Sequence, residues 1–174
     1  MWVLETARLK IRRLSTGDAD FIRRLLNEPS FIRYIGDRGI RSEEDASRYI
    51  REGPMASYAQ HGFGLYLVEL KNTGASAGIC GLLKRDSLED VDIGFAFLPE
   101  FWRQGFAFEA AEAVLSDAEE RGFTRVLAIT SPDNVSSIRL LEKLGFRFDR
   151  MMRQRDDASE IKVFARGRPV EIRR

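Results

Sequence analysis

Apolar and polar positions alternate in some stretches of the chain and recur every three or four residues in others. Leu9 and Ile11 alternate with Lys10 and Arg12, so 9–14 is expected to be a first strand. Behind Asp18, a candidate N-cap, Phe21, Ile22, Leu25 and Leu26 recur at helical spacing, and Pro29 is expected to end or redirect that helix. Ser42, three residues before Asp45, marks a second helix start; that helix should run to Glu52 and stop at Gly53 and Pro54. Three strand-like runs follow at 64–70, 77–83 and 91–98, with Asn72, Thr73 and Gly74 between the first two. Their short connections predict an antiparallel meander. The clearest helical pattern lies in 105–121, where Ala107, Ala110, Ala111, Val114, Leu115 and Ala118 form a stripe of mostly small residues. A strand at 125–130 leads through Pro132, Asp133 and Asn134 into a helix with Ile138, Leu141 and Leu144 inward and Gly145 at its end. Strands at 146–151 and 161–165 close the chain, with a loose polar turn at 156–160. The order is α+β, with one strand-helix-strand crossover near the middle.

Composition narrows the function classes. The 174 residues suit a single domain, 1–174, and 44% apolar with 32% charged is an ordinary globular balance. No apolar run is long enough to span a bilayer, and the opening lacks the apolar middle of a signal peptide, so a cytoplasmic protein without membrane contact is expected. One cysteine, Cys80, and one histidine, His61, cannot build a disulfide or a Cys/His metal site. Cys80 sits in an apolar strand as filler, and His61, beside Gly62 in a connector, reads as a surface residue. Lys and Arg total 28 against 27 acids, and Arg147, Arg150, Arg153 and Arg155 are scattered, so no direct nucleic-acid binding is expected.

The chemistry concentrates in 91–111. A helix start leaves backbone N–H groups without partners, and none of the usual capping residues, Ser, Thr, Asp or Asn, occurs between Phe101 and Ala107. Either water or a bound anion satisfies those donors, and a phosphate suits both their geometry and the helix dipole. Gly105 and Ala107 leave room for an anion to reach the backbone. On the preceding strand, Gly94 and Ala96 leave one face nearly bare, open to a slender ligand or to a packed helix.

The run 91–110 (VDIGFAFLPEFWRQGFAFEA) resembles the acetyl-CoA-binding motif of the GNAT superfamily of N-acetyltransferases, and most resembles the branch with the ribosomal-protein alanine N-acetyltransferases. The segments 134–146 (NVSSIRLLEKLGF) and 5–14 (ETARLKIRRL) are similar to that family's late helix and opening, so the resemblance covers nearly the whole chain. It implies the GNAT fold: a mixed, mostly antiparallel sheet of about six or seven strands flanked by about four helices. It also implies acetyl-CoA as co-substrate. The backbone of Phe95, Ala96 and Phe97 would pair with the pantetheine arm, and the N–H groups of Arg103, Gln104, Gly105, Phe106 and Ala107 would cradle the pyrophosphate. Trp102 stands where many relatives carry Arg or Gln, and Asn134 would bond the pantetheine arm or act as an N-cap.

Acetyl transfer needs a neutral amine, an oxyanion donor and a proton for the thiolate. A peptide α-amino group, with a pKa of roughly 7.7 to 8.0, loses its proton far more readily than a lysine near 10.4. By resemblance, the Phe97 amide would face the thioester oxygen and Asp92 would take the amine's proton; the bland reading of Asp92 is a solvated strand carboxylate. Leu141 occupies the place of the family's usual tyrosine acid, which leaves Ser137, one turn into the same helix, as proton donor or water holder. Arg33 and Tyr34, with Phe31, Ile32 and Ile35, fall where the family builds its acceptor pocket. The expected acceptor is a protein N-terminus or a small amine. Loss of the tyrosine leaves a catalytically weak CoA-binding domain as the alternative.

Overall fold

The computed structural model describes residues 2–154 and 159–167; Arg155 and most of the expected 156–160 turn fall outside these. Eight strands form one sheet in the order β1-β2-β3-β4-β5-β6-β8-β7. They are β1 Trp2–Glu5, β2 Leu9–Arg13, β3 Leu65–Leu70, β4 Ser76–Leu83, β5 Asp92–Phe97, β6 Arg125–Thr130, β7 Arg147–Arg153 and β8 Glu160–Gly167. Every neighbouring pair is antiparallel except β5 with β6, where the crossover helix returns the chain in the same direction. The helices are α1 Ala19–Leu26, α2 Pro29–Tyr34, α3 Glu43–Ile50, α4 Ala56–His61, α5 Phe106–Glu120 and α6 Val135–Lys143.

The α+β expectation holds, with corrections at particular elements. β1 is an additional edge strand whose register against β2 shifts between Trp2 and Leu4. α1 ends at Leu26, ahead of Pro29 as expected, and Pro29 then opens the additional helix α2 at its first turn, where a missing N–H costs nothing. Gly53 and Pro54 do not end the third helix: a π-helical turn, Arg51–Met55, absorbs the proline and passes into α4, which ends at Gly62 with φ 78°. His61 is therefore a helix-end residue, stacked on Phe63 at 5.5 Å. Asp18 makes no capping bond to α1; it accepts Ser15 N–H and two hydrogen bonds from Arg12. The Ser42–Asp45 capping box forms as expected.

Period-two alternation divides the core between the sheet's two faces. Tyr66, Val68, Cys80, Ile93 and Phe97 pack with α5 and its Ala110, Ala111, Val114 and Leu115. Leu67, Ile79 and Leu98 pack with Ile22, Leu25 and Leu26 of α1 and Ile50 of α3. Cys80 is filler, and burial pushes its thiol up to about 12. Among the described residues, no helix is long and apolar enough to cross a membrane.

Candidate active-site cleft

β5 ends at Phe97 and turns through Pro99–Phe101 into the loop that opens α5. Three side-chain bonds fix this loop, and all three use carbonyl oxygens. Trp102 Nε1 donates to the Phe97 carbonyl at 2.8 Å, Gln104 Nε2 to the Glu100 carbonyl at 3.1 Å, and Arg8 Nη1 to the Gln104 carbonyl at 2.9 Å. The N–H groups stay open. Gly105 is the N-cap of α5 and offers no side chain, and the amides of Arg103, Gln104, Gly105, Phe106 and Ala107 donate to no group among the described residues. Arg103, with φ 61°, and Gly105, with φ 80°, both adopt the left-handed region, the geometry of a concave anion-binding nest. A left-handed arginine is strained, and such strain concentrates where backbone meets ligand.

The loop opens into a cleft of about 980 Å³. One wall is the Phe95–Phe97 stretch of β5. Leu98 N–H donates to the Ala77 carbonyl on β4, so strand alternation turns the main-chain groups of Phe95 and Phe97 toward β6. The β5–β6 register lies back at Asp92 with Leu127, leaving those groups no strand partner at the cleft. α6 supplies Ser136, Ser137, Arg139, Leu140 and Lys143, and Asn134 precedes it; the far wall is Leu25, Glu28, Phe31, Tyr34 and Ile35.

A family model for the GNAT acetyltransferase domain matches residues 8–147. The chain belongs to the GNAT acetyltransferase family. It is 30% identical over 155 residues to the uncharacterized N-acetyltransferase YoaA of Bacillus subtilis, a match covering 87% of this chain and 86% of that protein. An acetyltransferase of the GNAT family from Bacillus anthracis superposes with TM-score 0.78 at 23% identity, over 96% of this chain and 98% of that one. RimL, a ribosomal-protein alpha-N-acetyltransferase solved with coenzyme A, superposes with TM-score 0.82 at 18% identity over 96% and 98%. Both superpositions show a shared fold. The enzyme class of this GNAT protein is N-acetyltransferase.

On the GNAT scaffold the expected site residues sort clearly. Phe95, Ala96, Phe97, Trp102, Arg103, Gly105, Phe106, Ala107, Asn134, Ser137 and Tyr34 all line the cleft. Gln104, between the lining residues Arg103 and Gly105, is not itself in the lining, and its side chain donates to the Glu100 carbonyl. Asn134 caps α6, its Oδ1 accepting Ser137 N–H at 3.2 Å. Arg33 does not line the cleft itself but pairs at 3.6 Å with Asp133, which does. Asp92 is not a solvated carboxylate: it is 0% exposed, outside the cleft lining, and gripped by Arg85 Nε at 3.1 and 3.2 Å. Burial raises its pKa and the Arg85 charge opposes the rise. The bare strand face around Gly94 is filled by Leu65 and Leu83, whose tips lie 3.4 and 3.0 Å from where a Cβ would stand. Leu141, 1% exposed, belongs to the core.

Sequence reasoning gave no role to a brace behind the loop. Glu109, in the first turn of α5, accepts Thr6 Oγ1 at 2.6 Å, Arg8 N–H at 2.9 Å and Arg8 Nε at 2.7 Å. Arg8 also lies over the Phe106 ring at 4.4 Å. These partners are about a hundred residues apart, and no local pattern announces such a pairing.

Proposed function

We propose that the chain binds acetyl-CoA in this cleft and transfers the acetyl group to a primary amine, a protein N-terminus or a small amine, by direct attack in a ternary complex. One observation carries the reading: five consecutive main-chain N–H groups at the mouth of α5 have no partner among the described residues, beside a stretch of β5 whose Phe95 and Phe97 main chain meets no strand of β6. The residues fit the group. Neighbouring Arg8 can only donate, so it cannot occupy those N–H groups, and its charge favours an anion there.

The amides of residues 103–107 hold the diphosphate in this reading, and Phe95 with Asn134 holds the pantetheine arm. Trp102 takes the Phe97 carbonyl and leaves the Phe97 N–H as the donor toward the thioester oxygen. Ser137 lines the wall from which a proton can return to the thiolate. Asp92, buried with Arg85, is not positioned to meet the amine. The cleft's own carboxylates are Glu28 and Asp133. Hydrogen bonding from Ser131 and the Arg33 charge hold Asp133 below the usual carboxylate range, making it a poor base. Glu28 has no ion pair among the described residues and is the group placed to draw in an ammonium and take its proton through water.

The test is thiol release from acetyl-CoA across N-terminal peptides, polyamines and aminoglycosides. Turnover with at least one amine class is expected. Thermal stabilisation by CoA with no turnover across the panel would contradict the transferase reading.

A further inference from the structure

Arg8 stands behind the loop that opens α5, in the turn between β1 and β2. Its main chain is held on both sides: the N–H donates to Glu109 Oε1 at 2.9 Å, and the carbonyl accepts Lys71 N–H at 2.9 Å. Thr6 Oγ1 closes the turn by accepting Leu9 N–H at 3.1 Å and gives its own proton to Glu109. The guanidinium is fixed as well. Nε donates to Glu109 Oε2 at 2.7 Å, Nη1 donates to the Gln104 carbonyl at 2.9 Å, and the group lies over the buried Phe106 ring. Burial alone would raise the Glu109 pKa, but hydrogen bonds from Thr6 and Arg8 outweigh it and hold the carboxyl below its usual range. Glu109 is therefore a charged anchor near neutral pH.

Of the loop's three side-chain bonds, only the one from Arg8 reaches in from a distant segment. In a planar trans peptide the carbonyl and the following N–H point in opposite directions. Holding the Gln104 oxygen toward Arg8 thus turns the Gly105 N–H away from the guanidinium. Glycine at 105 accepts either sign of φ, so without that bond this peptide plane can flip. A flipped plane would aim a carbonyl oxygen where an anion is to sit.

Resting on the coenzyme A reading above, we propose that Arg8 is a positioning residue: held by Glu109, it latches the Gln104–Gly105 peptide so that the Gly105 N–H faces the diphosphate. The latch acts through geometry and not through the arginine charge alone.

Two conservative variants separate these effects. Arg8→Lys keeps the charge, but one ammonium nitrogen cannot reproduce the fork that joins Nε to Glu109 and Nη1 to Gln104. Glu109→Gln keeps an oxygen for Thr6 and the Arg8 N–H while presenting an NH2 group to Arg8 Nε, which needs an acceptor. It also removes a negative charge beside the loop, so a site governed by charge would bind coenzyme A more tightly, whereas a released latch binds it more weakly.

The experiment is isothermal titration of the full chain with coenzyme A, wild type beside each variant, together with thermal melts. Each variant is expected to lose about tenfold or more in affinity, the scale of one charge-assisted bond. Affinity unchanged or tightened in either variant overturns the latch, and a lower melting temperature with wild-type affinity reduces the brace to a purely structural one. If wild type binds no coenzyme A, the coenzyme A reading itself fails and the latch falls with it.

Discussion

Replacing Gly105 by valine tests whether the loop's conformation is set for an anion. With φ 80°, Gly105 occupies the left-handed region, and a Cβ there would sit 3.3 Å from Arg8 Nη2, the movable tip of a side chain. An L-residue in that region costs roughly 1–2 kcal/mol, and a β-branched one lies at the upper end or beyond. At roughly 2–4 °C per kcal/mol for a chain of this size, the melting temperature should fall about 4–8 °C. Gly74 supplies the control, since its φ is 73° and nothing lies within 4 Å of its would-be Cβ. Gly74→Val thus carries a similar backbone penalty in the β3–β4 turn, away from the cleft. Relaxing valine out of the left-handed region at position 105 turns the adjoining N–H groups off the cleft. Each lost charge-assisted bond costs about 1.5–3 kcal/mol, or about ten- to a hundredfold in affinity for CoA. Calorimetric titration beside thermal melts separates the effects. Similar losses of stability with equal CoA affinity in the two variants would refute the argument.

Three other substitutions probe separate parts of the structure. Asp92→Asn should leave the rate and pH profile of acetyl transfer unchanged, because the carboxylate is buried against Arg85; loss of a limb of the profile would return Asp92 to the mechanism. Leu141→Ala should cost about 2–5 kcal/mol in urea unfolding, the range for a fully buried leucine, and a loss near zero would deny its place in the core. Burial opposes ionisation of Asp18, but hydrogen bonds from Arg12 and Ser15 outweigh it and lower its pKa below 3.8. Its contribution is therefore present above that value and lost as pH falls through the lower folded pKa, so Asp18→Asn should flatten the acid limb of a melting-temperature series; an unchanged acid limb would count against the pairing.

Much of the fold was legible because strand and helix periods are local signals. Leu67, Ile79 and Leu98 fall on the face opposite Tyr66, Cys80 and Phe97, as alternation requires. The absence of a capping residue before α5 was equally readable, since it is a statement about seven consecutive residues. Punctuation failed where a residue type serves two purposes. Pro29 marked the end of α1 but not the start of α2, which it also opens, and Pro54 is absorbed by a π turn that propensity does not foresee. Asp92 shows a different limit. Its alternation was visible, but Arg85 lies in the preceding loop and only the hairpin brings the guanidinium to the carboxylate. Arg8 reaching Gln104 and Glu109 is of the same kind: an ion pair between distant segments leaves no trace in spacing.

The most direct test of the central claim is amide NMR of the chain titrated with coenzyme A. The account predicts that the N–H resonances of residues 103–107, together with those of Phe95 and Phe97, shift on binding and become protected from exchange. Resonances at those positions that stay unmoved at saturating nucleotide would contradict it.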